Sequence, residues 1–312
     1  MILVGTASWT DPTLIESGWY PKGVAQSAEK RLRYYASWFP LVEVDATYYA
    51  LPAERNARLW AERTPPGFRF GVKALSAFTG HGLEPRAVPR DLRDLLPEGA
   101  LERGRKVPQS ELSPGLVDAL WDRFASALAP LREAGKLLYV LFQFPPWFRP
   151  GEESFERLKE VSTRARSAGL VPAAEFRHAS WYGEEVWPEV RALLREWELA
   201  HVAVDAPRVP GAPPTVLEAT REDLAVLRCH GRNAGTWRKR TRAASERFDY
   251  WYSEEEVAEH VAWARALEER ARTVAVVYNN NFRTQGVEAA AMFMKLAALR
   301  WPPEAEEGSP RA

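Results

Sequence analysis

Cysteine occurs once in the 312 residues, at Cys229. That excludes an intrachain disulfide and a cysteine-built zinc site. Histidine is scarce as well, with five residues and no H-x-H or H-E-x-x-H spacing, so the usual zinc-hydrolase signature is absent. No stretch of about 18 apolar residues occurs, so no membrane-spanning helix is expected. MILVGTASWT, the N-terminus, has no basic region leading into a long apolar one, so no secretory signal is read and the expected location is cytoplasmic. Charge of one sign is missing too: Lys+Arg and Asp+Glu number 42 each. Bulk charge therefore points to no polyanionic partner, and any basic site must be local. No P-loop, nucleophile elbow or G-x-G-x-x-G after the first strand appears.

What is present is a repeated alternation. Eight short apolar runs read as strands: Ile2–Ser8, Leu41–Thr47, Phe68–Lys73, Leu137–Phe144, Val171–Phe176, Ala200–Asp205, Leu224–His230 and Thr273–Asn279. Helical spacing separates them. Val117, Leu120, Trp121, Phe124 and Leu128 form one stripe, introduced by Ser113-Pro114, a cap and a first-turn proline. Ser253 and Glu256 read as a capping box for another helix. Signals are weakest for the helix after strand six. Eight βα units predict an α/β fold, a single (β/α)8 TIM-barrel-like domain over residues 1–301 with a disordered tail over 302–312. Two connections are long, Ser76–Leu112 after strand three and Gly231–Tyr252 after strand seven. Long loops in such folds are commonly lids or mobile segments.

In a barrel of this kind the active site forms where the strands end. Those ends are polar here. Glu43, Asp45, Glu175 and Asp205 are expected on the inner face with Arg69, Lys73, Arg177 and Arg228. Unpaired burial of so many charges would cost several kcal/mol each, so they must pair, meet water or meet a ligand. The catalytic candidates are Glu175 or Asp205 as general base and His230 as general acid. Candidates for substrate binding are Lys73, His81, Gln143, Arg177, Trp181, Arg228, Arg232, Trp237 and Asn280. The alternative for the charged set is an internal salt-bridge network. His201, at the start of its strand, is expected to be structural, His260 to be exposed on a helix, and Cys229 to be a small core residue.

No cofactor is predicted, although Glu175 and Asp205 on adjacent strands could hold one divalent metal ion. The loop after strand seven interleaves Arg232, Arg238, Lys239, Arg240, Arg242 and Arg247 with Trp237, Phe248, Tyr250, Trp251 and Tyr252. Arginine forks suit phosphate and aromatics can stack on a base or sugar. The expected partner is thus an anionic, phosphorylated ligand, with a nucleotide, nucleic acid or sugar phosphate as substrate and a hydrolase or phosphodiesterase as the enzyme class. Two alternatives stand beside this. One is a non-catalytic binder of nucleic acid or another anion, led by that loop. The other is a carbohydrate-active hydrolase using Trp9, Trp181 and Trp237 with two carboxylates.

The successive motifs GTASW, VEVDATYYALP, FRFGVKA with FTGH, LFQFPPWF, EFRHASW, VAVDAP, LRCHGR and YNNNF followed by GVEAAAMFMKL resemble those of the YecE-like family, a domain of unknown function. The resemblance runs in order over residues 3–298. It implies a TIM-barrel-like fold and no established reaction. Ser76–Leu112 is longer than is usual in that family, which would cover part of the mouth. A weaker architectural likeness to endonuclease IV-type barrels invites a nucleic-acid reading, but this chain lacks the histidines for a multi-zinc site.

Overall fold

The computed structural model describes residues 1–102, 104–235 and 249–302. Eight parallel strands close into a barrel in sequence order: β1 (Ile2–Thr6), β2 (Leu41–Val44), β3 (Arg69–Lys73), β4 (Leu137–Gln143), β5 (Pro172–Glu175), β6 (Ala200–Asp205), β7 (Leu224–Cys229) and β8 (Thr273–Tyr278). Five registered pairs from Ile2↔Val274 to Thr6↔Tyr278 seal β1 against β8. The α/β (β/α)8-type fold expected from the eight apolar runs is the fold observed.

Helices pack outside: α1 (Pro12–Glu16), α2 (Ala28–Trp38), α3 (Glu54–Glu62), α4 (Pro114–Glu133), α5 (Glu152–Ser167), α6 (Trp187–Glu196), α7 (Glu254–Glu268) and α8 (Gln285–Leu296). Local chemistry sets their starts. The Ser113 hydroxyl accepts from the Leu116 N–H at α4, with Pro114 in the first turn. Ser253 and Glu256 complete a reciprocal capping box at α7. Caps of this kind contribute about 1 kcal/mol each. Leu120, Phe124 and Leu128 of α4 recur at i, i+4, i+8 and are fully buried, which stabilises by roughly 1.5–3 kcal/mol per side chain.

One expected helix is missing. Between β6 and β7, residues 206–223 form no helix. Pro207, Pro210, Pro213 and Pro214 fall there, and each removes a backbone donor that a helix would need. The connection Ser76–Leu112 is no loose lid. It is folded from short 3-10 turns, pinned by a Leu83–Val107 bridge, and buries Leu83, Val88, Ala100 and Val107.

The barrel interior is layered. Its lower part is apolar, with Leu3, Leu41, Ala173, Val202, Val226 and Ala275 in one cluster. Two residues further along three of these strands stand Glu43, Glu175 and Arg228, all wholly buried. Period-two alternation keeps them on the same inner face. The charged set is thus one layer near the strand ends, not the lining of the whole barrel.

Candidate functional site

Arg228 forms the floor of the mouth. Its guanidinium donates to Glu175 Oε2 and, at 2.6 Å, to Glu43 Oε1. Tyr139 Oη donates to the other Glu43 oxygen at 2.8 Å. Glu175 Oε1 receives Gln143 Nε2 at 2.8 Å, His230 Nε2 at 2.9 Å and Arg177 at 3.3 Å. Four donors therefore saturate the Glu175 carboxylate. Burial pushes its pKa up, but Arg228 and the other donors outweigh that and hold it well below the usual range. A carboxylate so held is a weak base at neutral pH. Burial holds Glu43 above the usual range, against Arg228. Both nitrogens of His230 are engaged, Nε2 by Glu175 and Nδ1 by the Asn279 amide at 2.8 Å. This network selects the tautomer with hydrogen on Nε2. Burial pushes the His230 pKa down to about 4, so it is neutral at pH 7.

Above the floor is a rim. Lys73 ends β3 with its side chain 13% exposed, 3.9 Å from Asp45 Oδ1 and over the face of Tyr48 at 4.8 Å. Lys106, brought in by the Ser76–Leu112 connection, approaches the same ring at 5.8 Å. His81, from the same connection, accepts or donates at Nδ1 to Thr79 at 2.9 Å and meets Tyr48 and Trp147 edge-on. Its pKa is pushed down to about 3 by burial and then by Lys73, Lys106 and Arg177. Lys73 and Lys106 thus gather over the Tyr48 ring that packs on His81 at the barrel mouth.

The structure brings together Lys73, His81, Gln143, Glu175, Arg177, Arg228 and His230. It does not bring the remaining candidates to them. Asp205 was expected beside Glu175, yet it faces outward. Val202 and Val204 occupy the inner face of β6, so Asp205 points under α7. There it accepts from Tyr252 Oη at 2.7 Å and Arg232 Nε at 2.9 Å, with His260 Nε2 at 3.3 Å. Arg232 is shared among Asp205, Glu256 and Glu259, a reason for it to stay outside the mouth. His260 is fully buried, not exposed, because this cluster and the Tyr252 and Tyr278 rings enclose it. Cys229 lies 3.7 Å from His260 Nδ1 in the same packed region.

Trp181 is core and not a pocket wall. It is fully buried, stacks on Phe176 at 4.2 Å, and donates to the Phe148 carbonyl. Asn280 points away from the mouth, donating to the Tyr250 carbonyl at 3.0 Å. Arg69, at the start of β3, hydrogen-bonds to the Phe68 carbonyl, far from the strand ends. His201 lies under Trp187 with Nε2 3.1 Å from Tyr182 Oη. Trp237, Arg238, Lys239, Arg240, Arg242, Arg247 and Phe248, like the tail from residue 303, lie outside the described residues.

The single-metal idea fails on geometry. Glu175 and Asp205 point to opposite faces of neighbouring strands, and Glu175 has its donors already. Among the described residues no group of three or more His, Cys, Asp or Glu side chains is placed to hold a metal. The same opposition keeps these two carboxylates from flanking one glycosidic bond.

Tyr139, Asn279, Tyr48 and Lys106 were missed as site residues. Tyr139 was visible as the inner-face partner of Leu141 and Gln143 on β4. Asn279 was visible by parity with Ala275 and Val277. Tyr48 and Lys106 arrive from turns that periodicity does not place.

Chemically, the mouth offers positive charge over a fixed, paired floor, with neutral imidazoles beside it. No helix among the described residues is long and apolar enough to cross a membrane. UPF0759 protein YunF of Bacillus subtilis (strain 168) is 30% identical over 306 residues, covering 96% of each chain. The crystal structure of a DUF72 family protein from Enterococcus faecalis V583 has 26% identity and a TM-score of 0.75, covering 96% of this chain and 97% of that one. A DUF72 family protein from Thermotoga maritima MSB8 gives 27%, 0.74, 96% and 99%. The family profile described as "Protein of unknown function DUF72" matches residues 3–311, and with this agreement in sequence and fold the chain belongs to the DUF72 family.

Proposed function

We propose that this chain, a YecE-like member of DUF72, is a cytoplasmic enzyme acting on a small phosphorylated substrate at the mouth of the barrel. The observation that carries the reading is the gathering of Lys73 and Lys106 over the Tyr48 ring beside His81, with Arg177 at the neighbouring strand end on Glu175. Positive groups at partly buried positions, with Lys73 13% and Arg177 16% exposed, favour an anion, and an Arg fork fits a phosphate oxygen pair. Glu43, Glu175 and Arg228 serve as the rigid base that holds Arg177 in place. Isothermal titration of the full chain with inorganic phosphate, and with sugar phosphates against the matching unphosphorylated sugars, tests it. Phosphorylated ligands bind more tightly, and Arg177→Ala weakens them by about tenfold or more. Equal affinity for the phosphorylated and unphosphorylated forms would sink the reading.

A second reading, nucleic-acid binding, has one observation in its favour. Beside the mouth lies a groove of about 750 Å³ lined by Lys106, Trp147, Arg149 and Arg157 together with Glu152 and Glu153, with Trp147 66% exposed. Exposed aromatic and basic groups together suit a single strand. It predicts oligonucleotide affinity that falls steeply with salt and drops on Trp147→Ala.

A further inference from the structure

We propose that Lys73 is the amine that forms an imine with an aldehyde or ketone carbonyl of the substrate, which narrows the substrate class to phosphorylated carbonyl compounds such as open-chain sugar phosphates. This rests on the phosphate reading above, with Arg177 and Lys106 holding the phosphate and Lys73 left for the carbonyl.

The contrast with Lys136 makes the case. Lys136 also lies partly buried, but its ammonium is tied to the Ala61 and Thr64 carbonyls, both at 2.6 Å, and to the Thr64 hydroxyl at 3.0 Å. Three acceptors consume three N–H groups, so that nitrogen is locked as a structural cation. Among the described residues the Lys73 nitrogen makes no hydrogen bond. It has only Asp45 at 3.9 Å and the Tyr48 ring at 4.8 Å. It ends a barrel strand, faces inward, and is 13% exposed, enough for a small ligand to reach. A buried amine without acceptors is the setting in which lysine becomes a nucleophile. Its pKa is lowered by burial and by Arg228, with Asp45 opposing, which raises the share of free amine at neutral pH.

The chemistry balances without an added reagent. The amine nitrogen bonds to the carbonyl carbon to give a carbinolamine. The former carbonyl oxygen then leaves as water, carrying the two hydrogens of the amine, and a C=N bond remains. Nothing is oxidised or reduced. Asp45 Oδ1, buried and without a hydrogen-bond partner among the described residues, is placed to carry a proton from nitrogen to the departing oxygen.

The test uses the full chain, pyridoxal 5′-phosphate as a probe bearing both an aldehyde and a phosphate, and sodium borohydride to fix any imine. Peptide mapping by mass spectrometry then reads the modified lysines. Lys73 carries the reduced adduct in about tenfold excess over exposed Lys22 and Lys30. Inorganic phosphate slows the labelling. Lys73→Arg, which keeps the charge, abolishes the adduct at position 73. An adduct spread evenly over the lysines, or absent from Lys73 while phosphate binding persists, overturns the imine proposal and leaves the phosphate reading standing. Strong labelling of Lys73 that phosphate does not slow supports the amine role and overturns the phosphate reading.

Discussion

Arg228 on β7 and Glu175 on β5 meet inside the barrel as a wholly buried pair, and the same guanidinium reaches Glu43 on β2 at 2.6 Å. One cation thus ties three strands across the interior. Removing it would leave the buried Glu43 with Tyr139 alone and Glu175 with Arg177, Gln143 and His230, and breaking a buried pair in this way typically costs about 3–5 kcal/mol. Arg228→Met is expected to lower the unfolding free energy measured in urea by that order, and Glu175→Gln, which keeps the hydrogen-bonding shape, by less. A loss below about 1 kcal/mol for Arg228→Met would mean that water or protonation already relieves the site.

Trp181→Ala separates core from pocket. The indole is fully buried against Phe176 and Phe148. Its removal should cost about 3–5 kcal/mol and leave phosphate affinity at the mouth unchanged. Thermal unfolding and titration on the same variant check both halves. Weakened binding with stability intact would return Trp181 to the site.

The strands were legible because each is a short apolar run set off by helical spacing, and the caps because Ser113 and Ser253 stand just before such spacing. Asp205 was misread because both faces of β6 are buried. Small apolar residues stand on both faces, Val202 and Val204 on one and Ala203 on the other, so alternation fixes which residues share a face but not which face looks inward. Its partners Tyr252 and His260 lie far away in sequence. Asn279 and Asn280 differ only in parity, so residue type could not rank them. His81 and Lys106 reach the rim from irregular stretches between 3-10 turns, whose direction no periodicity reveals. Prolines at 207, 210, 213 and 214 were the readable sign that the sixth helix is missing.

Acid should destabilise the fold through its histidines. Burial lowers His230 and His201 to about 4 and His81 to about 3, from 6.5. A group whose folded pKa is depressed takes up protons more readily in the unfolded chain. Its contribution is therefore present above pH 6.5 and is lost as pH falls towards about 4. Glu43, held above its ordinary 4.5, acts in the opposite sense between that value and its raised folded one, so it offsets part of the loss. Melting temperature should thus fall steadily from pH 7 to pH 4.5, and His201→Gln should flatten the slope. A flat profile across that window contradicts the neutral, buried assignment of these rings.

The last prediction concerns the close approach that lets Tyr139 reach Glu43. A Cβ at Gly71 would lie 2.4 Å from Tyr139 Cζ and 2.6 Å from its hydroxyl oxygen. Gly71 is therefore the gap through which the Tyr139 ring passes to hydrogen-bond Glu43 at 2.8 Å. Gly71→Ala must displace a fully buried ring, an overpacking change that usually costs about 1–3 kcal/mol. It also removes a donor from the Glu43–Arg228 floor. Tyr139→Leu clears the space and is destabilising on its own, yet it should absorb most of the Gly71→Ala penalty. The double variant should therefore be more stable than the sum of the single losses predicts, by about 0.5–3 kcal/mol, as expected for residues in direct contact. Strict additivity in chemical denaturation would show that the ring does not occupy the gap, and that the support of Glu43 comes from Arg228 alone.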